Sequence, residues 1–232
     1  ETAGREREEL QGLGRIPVFA RFHQHEPEAQ WKFTADTLKE LRRDGYPVAA
    51  ALVQSRRSVI EPERWKSFLA TVLDQIHDAV EWVEVGHAIN RVKWGIWDLE
   101  EHRRLLDAVA DAGVRFPKVK FAGPAVIDFE YPYVMAALRN LPPSLKFTAL
   151  SHHLYVDRRG APESRQAIFA ALDKFALAKA IAQWSEVCDD RVIVSEVSWP
   201  LKGTGVFSPV ASPYESPSPR HDDPSVSEDD YA

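Results

Sequence analysis

Short apolar runs alternate with longer amphipathic stretches along the first 200 residues. The apolar runs have the length of strands and are apolar on both faces, as parallel strands covered by helices are. They lie at 16–24, 46–54, 80–86, 117–125, 145–155 and 191–199. Helical periodicity fills the intervals at 31–44, 61–79, 98–112, 129–140 and 163–187. This alternation predicts a parallel sheet flanked by helices.

Local signals mark several of the helix ends. Pro62 suits the first turn of the second helix, and Asp98 can cap the third. Glycine just after a periodic stretch commonly ends a helix. Gly45 is therefore expected to end segment 31–44, and Gly113 to end segment 98–112.

The number of strand–helix units favours a (β/α)8 TIM barrel over a doubly wound open sheet. No strand is followed by the glycine-rich phosphate loop that an open dinucleotide-binding sheet uses. Residues 1–14 are expected to be the tail of a helix, so the barrel is expected to be truncated, with its second to seventh strands visible. Residues 1–202 would form this partial barrel. Residues 203–232 are rich in Pro, Ser and Asp and are expected to be a loop or a disordered tail.

Composition narrows the class of partner. The 232 residues are 44% hydrophobic, enough for one large core, and the net charge of −6 arises from mixed acids and bases without a basic stripe. No apolar run approaches the roughly 20 residues of a membrane helix. Neither a nucleic acid nor a membrane is expected as a partner. Cys188 is the single cysteine, so no disulfide framework is expected, and the cellular compartment stays open.

Polar side chains gather at the predicted carboxyl ends of the strands, where barrels of this type place their active sites. Glu196 stands near the end of the run RVIVSEVSWP, and a buried carboxylate needs either a partner or a chemical role. A structural ion pair with Arg21 or Arg91 is one interpretation. A site shared with other strand ends is the other, and its candidates are Arg21, His23, His25, Glu84, Asn90, Arg91, Trp94, His153, Tyr155 and Trp199.

Three segments that contain these candidate residues resemble the retaining glycoside hydrolases of the (β/α)8 superfamily called clan A. The segments are SEVSWP (195–200), LSHHLYV (150–156) and WVEVGHAIN (82–90). The resemblance implies a carbohydrate partner, no cofactor and no metal. It also implies that Glu196 is the nucleophile, with His153 and Tyr155 beside it.

The resemblance further implies a sugar-binding surface around these residues. Trp94, Trp97 and Trp199 would offer flat apolar faces to sugar rings. Asn90, Arg91 and Lys93 would hold hydroxyl groups or the carboxylate of an acidic sugar.

The segment at 82–90 departs from the family pattern at the acid/base position. The family's Asn-Glu pair is matched here by His87 and Ala88, and alanine cannot protonate a leaving group. Three interpretations stay open: Glu84 acts as the acid/base, His87 donates the proton although strand alternation points it away from the face of Ala88, or the protein binds sugar without hydrolysing it.

A metal-dependent barrel hydrolase is a further alternative. The spacing His23-x-His25 at a strand end is used by such enzymes, and His153 and Glu196 would complete the ligand set.

Overall fold

The computed structural model describes residues 8–155 and 165–197, and strands alternate with helices along them. The strands are β1 (Val18–His23), β2 (Val48–Val53), β3 (Val83–Val85), β4 (Phe121–Ile127), β5 (Ala149–His153) and β6 (Val192–Val194). The helices are α1 (Glu28–Arg43), α2 (Arg56–Ile60), α3 (Pro62–Ile76), α4 (Leu99–Arg115), α5 (Tyr131–Arg139) and α6 (Ala171–Ser185). A 3₁₀ turn spans Val92–Trp94 between β3 and α4.

The six strands form one sheet in chain order, and every neighbouring pair is parallel. A doubly wound sheet reverses its strand order at a switch point, and this sheet does not. A parallel sheet wound in one direction with helices between its strands is the arrangement of a (β/α)8 barrel. The prediction of a partial TIM-type barrel is therefore confirmed for the described residues.

Alternating side chains give the sheet two different faces. Phe22, Leu52 and Val85 point to the helices and belong to the large apolar core that α1, α3 and α4 cover. Ala51 and Val53 point the other way, into a smaller cluster on the inner face of the sheet. The polar candidates of the sequence lie on or beside this inner face.

The sheet is strongly curled. In a flat sheet with a strand spacing of about 4.8 Å, the first and sixth strands would be about 24 Å apart. Yet the side chain of Arg21 on β1 contacts that of Glu196, just after β6, at 2.7 Å. The curl therefore brings the outermost strand ends to the same place.

Of the two helix ends predicted from glycines, one is confirmed and the other is wrong. Gly45 follows α1 with φ +88°, and the amides of Gly45 and Tyr46 bond back to the carbonyls of Arg42 and Leu41, so the predicted helix end is confirmed. The prediction for Gly113 was wrong, because α4 continues through it to Arg115. The helix extends only two residues past the glycine, both of them exposed, and one glycine in a helix costs only about 1 kcal/mol.

Other helices and strands also differ from the predicted ranges. The short helix α2 was not expected, and Ser55 caps it by accepting a hydrogen bond from the amide of Ser58. The run at 117–125 begins its strand only at Phe121, and β6 is shorter than its apolar run. Residues 8–12 are helical, as expected for that segment. The predicted tail at 203–232 lies outside the described residues, and the domain division stays a prediction.

In the part of the chain that the structure describes, the helices are too short or too polar to cross a membrane.

Candidate active site

Glu196 is held by one side chain on β1 and by another just after β5. Arg21, on the inner face of β1, donates from Nη2 to Oε2 of Glu196 at 2.7 Å. The hydroxyl of Tyr155, two residues past β5, donates to Oε1 of the same carboxylate. The Glu196 side chain remains 14% exposed, so the carboxylate is fixed in orientation and still reachable. The ion pair with Arg21 that the sequence left as an alternative is present.

Glu84 forms a second, deeper carboxylate site on β3. It is fully buried; His153 Nε2 lies 3.3 Å from its Oε1, and Ser195 Oγ donates to its Oε2. Burial alone would raise the pKa of Glu84, but the hydrogen bond and charge of His153 and the hydrogen bond from Ser195 outweigh it and lower the pKa. Glu84 is therefore an ionised carboxylate that supports the inner face between β3, β5 and β6.

His87 lies beside this pair, contrary to the expectation from strand alternation. β3 ends at Val85, and Gly86 takes φ +87°, so the side-chain alternation of the strand does not continue to residue 87. The His87 ring lies 4.7 Å from the ring of His153 and 4.2 Å from that of Trp94. Burial, followed by the charges of His153 and Arg21, sets the pKa of His87 well below its usual value, so this imidazole is neutral.

His23 and His25 lie at the end of β1, with ring centroids 5.5 Å apart. Burial lowers the pKa of His23 to about 4, helped by the charges of His25 and Arg21, while the His25 side chain is exposed. The ligand set expected for a metal-dependent hydrolase is not assembled here. In residues 8–155 and 165–197, the histidine and carboxylate donors that converge belong to Glu84, His87 and His153.

Asn90 and Arg91 bind other parts of the protein. Asn90 Nδ2 donates to the carbonyl of Ile127 at 2.9 Å and to Glu130 Oε2 at 2.7 Å, and its Oδ1 accepts from the Ile127 amide at 3.0 Å. Arg91 pairs with Asp128 and with Glu130. These contacts fasten the loop after β3 to the end of β4, and they occupy the groups that the sequence assigned to sugar binding.

The aromatic candidates are placed differently from one another. Trp94 is only 4% exposed and packs its ring against His87, so a sugar cannot stack on it without rearrangement. Trp97 is exposed, and the guanidinium of Arg56 lies 3.8 Å from the centre of its ring. Trp199 lies outside the described residues.

The sequence analysis missed two sets of hydrogen bonds around these residues. Ser195 shares the inner face with Ile193 by alternation and so reaches Glu84, a placement that the SEVSWP segment itself signals. Gln54 follows β2 and donates to the carbonyls of His87 at 2.9 Å and Trp94 at 3.0 Å. A glutamine with backbone partners in another loop has no local sequence signal.

Comparisons with known proteins give a weak likeness of fold. No protein-family model and no curated protein matches the chain. The GH53 catalytic domain of Ignisphaera aggregans matches with a TM-score of 0.48 and 12% identity over 72% of this chain and 52% of that one. The virulence factor SghA, solved with the substrate analogue salicin, matches with a TM-score of 0.42 and 14% identity over 69% of this chain and 54% of that one. The chain thus spans about half the length of these structures, and its fold follows from its own strand order.

Proposed function

We propose that this chain is a glycosidase-like protein that binds carbohydrate at the carboxyl ends of its strands, with Glu196 as the nucleophile of a retaining mechanism. The observation that carries the proposal is the fixed and accessible carboxylate of Glu196, held by Arg21 and Tyr155. A nucleophile must be held in the attacking geometry while one face stays open to the substrate. The donors Arg21 on β1 and Tyr155 just after β5 meet the first condition, and the 14% exposure of Glu196 meets the second.

In the catalytic step, Glu196 attacks the anomeric carbon as the bond to the aglycone oxygen breaks, which gives a covalent glycosyl-enzyme and an aglycone anion that takes its proton from water. Water then releases the sugar and restores the carboxylate. Arg21 and Tyr155 keep the carboxylate oriented through both steps.

Glu84 fits a positioning role better than the acid/base role, which was one of the three interpretations that the sequence left open. A general acid must reach the glycosidic oxygen and must carry a proton at the working pH. Glu84 is fully buried, both of its oxygens have hydrogen-bond partners, and its pKa is lowered. These properties suit an anion that fixes His153 and Ser195.

Non-catalytic carbohydrate binding is the second candidate function, and the same burial of Glu84 favours it. A retaining mechanism needs a second carboxyl group about 5–5.5 Å from the nucleophile. Ala88 stands at the position that the resemblance assigns to it, and Ala88 is buried in the inner cluster.

Trapping with fluorinated sugars separates the two candidates. The protein is incubated with a panel of activated 2-deoxy-2-fluoro glycosides, digested and analysed by mass spectrometry. We expect a label on Glu196 that disappears in Glu196→Gln and persists in Glu81→Gln, a matched carboxylate that is half exposed and pairs with Arg42.

Isothermal titration with unmodified oligosaccharides completes the test. Binding without a label would favour the non-catalytic candidate. A protein that neither binds nor is labelled across the panel would contradict the carbohydrate function, and a label on another carboxylate would contradict the role of Glu196.

A further inference from the structure

Three buried donor groups converge on the inner face of the sheet, beside the proposed nucleophile. They are the carboxylate of Glu84 on β3, the imidazole of His87 just after β3 and the imidazole of His153 at the end of β5. One ligand atom from each lies within 4.8 Å of the other two, and all three side chains are at most 1% exposed. We propose that Glu84, His87 and His153 bind a first-row divalent metal ion, with Zn²⁺ as the best match.

The spacing between Glu84 and His153 fits two ligands of one ion. Their Oε1 and Nε2 atoms are 3.3 Å apart. A hydrogen bond between a charged pair prefers about 2.7–2.9 Å. Two ligands of a tetrahedral ion with bonds of about 2.0–2.1 Å are separated by about 3.3 Å. The carboxylate and imidazole are thus spaced for a shared metal ion.

Unpaired nitrogens provide an independent observation. Nδ1 of His87 and Nδ1 of His153 are buried without a hydrogen-bond partner among residues 8–155 and 165–197. A buried polar atom without a partner costs about 1–3 kcal/mol, and coordination of an ion removes that cost. Coordination through Nδ1 of His87 would remove that cost at His87, whereas His153 would bind the ion through Nε2, the atom that faces Glu84.

The donor set and its surroundings select the kind of ion. Two imidazoles and one carboxylate form a common zinc set, in which water takes the fourth position. Ser195 already holds Oε2 of Glu84, which leaves Oε1 directed at His153. Such an outer hydrogen bond orients a ligating carboxylate. With all three donors buried, the ion would join β3 to β5 and make the inner face rigid next to Glu196.

Metal loading of the whole chain tests the site. The protein is stripped with a chelator, incubated with Zn²⁺ or with Co²⁺ and dialysed, and metal is counted by mass spectrometry. We expect about one equivalent of Zn²⁺ and, with Co²⁺, the intense visible absorption of a tetrahedral ion. At a free concentration one hundred times Kd, the melting temperature should rise by about 5–10 °C.

Variants locate the ion. His87→Gln and His153→Gln should each lower the bound Zn²⁺ to below a tenth of an equivalent. The controls are His102→Gln, which changes a buried histidine on α4, and His25→Gln, which changes an exposed one. Both controls should keep the full equivalent. Binding that survives both ligand variants, or that is lost in His25→Gln, would overturn the proposal.

A measurement on the unmodified protein covers the case in which a ligand variant does not fold. X-ray absorption at the zinc edge should give two imidazoles and two oxygen ligands. A sulfur ligand, a single imidazole or no retained zinc would overturn the site. The sugar label on Glu196 does not depend on these results, so failure of the metal site and failure of the carbohydrate function are distinguishable.

Discussion

His102 is a buried histidine on α4 whose ring has no hydrogen-bond partner among the described residues. Burial lowers its pKa to about 4, compared with about 6.5 in an unfolded chain. The unfolded chain therefore binds the extra proton first as the pH falls. The stability linked to this residue is complete above pH 6.5 and is lost as the pH falls towards 4.

Replacing His102 by leucine should remove this loss. One fully depressed histidine changes the free energy of unfolding by about 1.4 kcal/mol per pH unit, or about 2 kcal/mol between pH 7.5 and 5. Urea unfolding at both values should show a pH dependence smaller by that amount in His102→Leu. The other histidines titrate in both proteins, so their contributions cancel. Equal pH dependence in the two proteins would contradict the assignment.

At the scale of single residues, sequence reasoning worked where a side chain lies at a strand end and failed where the backbone left the strand. The topology of a parallel sheet was enough to expect Tyr155 and Glu196 at one rim, and the two are in contact. His87 was expected to point away because alternation was extended through Gly86. Gly86 adopts a left-handed conformation with φ +87°, and apart from the glycine itself nothing in the sequence predicts this.

The arrangement of side chains on the inner face depends strongly on the conformation of the loop between β3 and α4. It carries His87 and Trp94, and it is fastened at both ends by polar side chains. Gln54 holds the carbonyls of His87 and Trp94, and Asn90 holds the end of β4. A loop with this many partners keeps its conformation before any ligand arrives.

Asn90→Ala should destabilise this element. The change removes three hydrogen bonds and leaves the amide and carbonyl of Ile127 without those partners, which should cost about 2–4 kcal/mol. Asn140→Ala is the matched control, because Asn140 donates a single bond to the carbonyl of Leu99, and it should cost about 1 kcal/mol. Urea unfolding measures both. A smaller effect for Asn90 than for Asn140 would show that the loop does not depend on this contact.

At the scale of elements, hydrophobic periodicity predicted which helices form, but it did not predict which distant residues their neighbouring loops contact. The apolar spacing of Trp65, Phe68, Leu69 and Val72 predicts α3, and these residues are buried in it. The partner of Arg91 could not be read in the same way. Asp128 lies 37 residues further along the chain, on a separate strand–helix unit, and nothing local links the two.

At the scale of the whole molecule, side chains from strands that are not neighbours in the sheet contact one another. Glu84 on β3 contacts His153 on β5 and Ser195 after β6, and Arg21 on β1 contacts Glu196 after β6. The two contacts that reach the end of β6 require the sheet to curl, because in a flat sheet β3 and β6 would be about 14 Å apart and β1 and β6 about 24 Å apart. The inner polar network therefore forms only when the curled sheet is complete. For the same reason it could not be read from any single segment.

The ion pair between Arg21 and Glu196 should stabilise this curled form. Its side chains are 20% and 14% exposed, and a hydrogen-bonded pair so shielded should show a coupling energy of about 1–3 kcal/mol. The measurement is a double-mutant cycle with Arg21→Met and Glu196→Gln, followed by urea unfolding at neutral pH. Glutamine keeps an acceptor for Tyr155, so the cycle isolates the charge pair.

The pair between Arg115 and Asp74 is the control, because it joins α4 to α3 on the surface with side chains 56% and 50% exposed. Exposed pairs contribute about 0–1 kcal/mol. A coupling between Arg21 and Glu196 no larger than this control would mean that the curl is held by the apolar layers alone. A clearly larger coupling would mean that the carboxylate proposed for catalysis also joins the first described strand to the last, so a substrate that displaces Arg21 from Glu196 must compensate for that loss of stability.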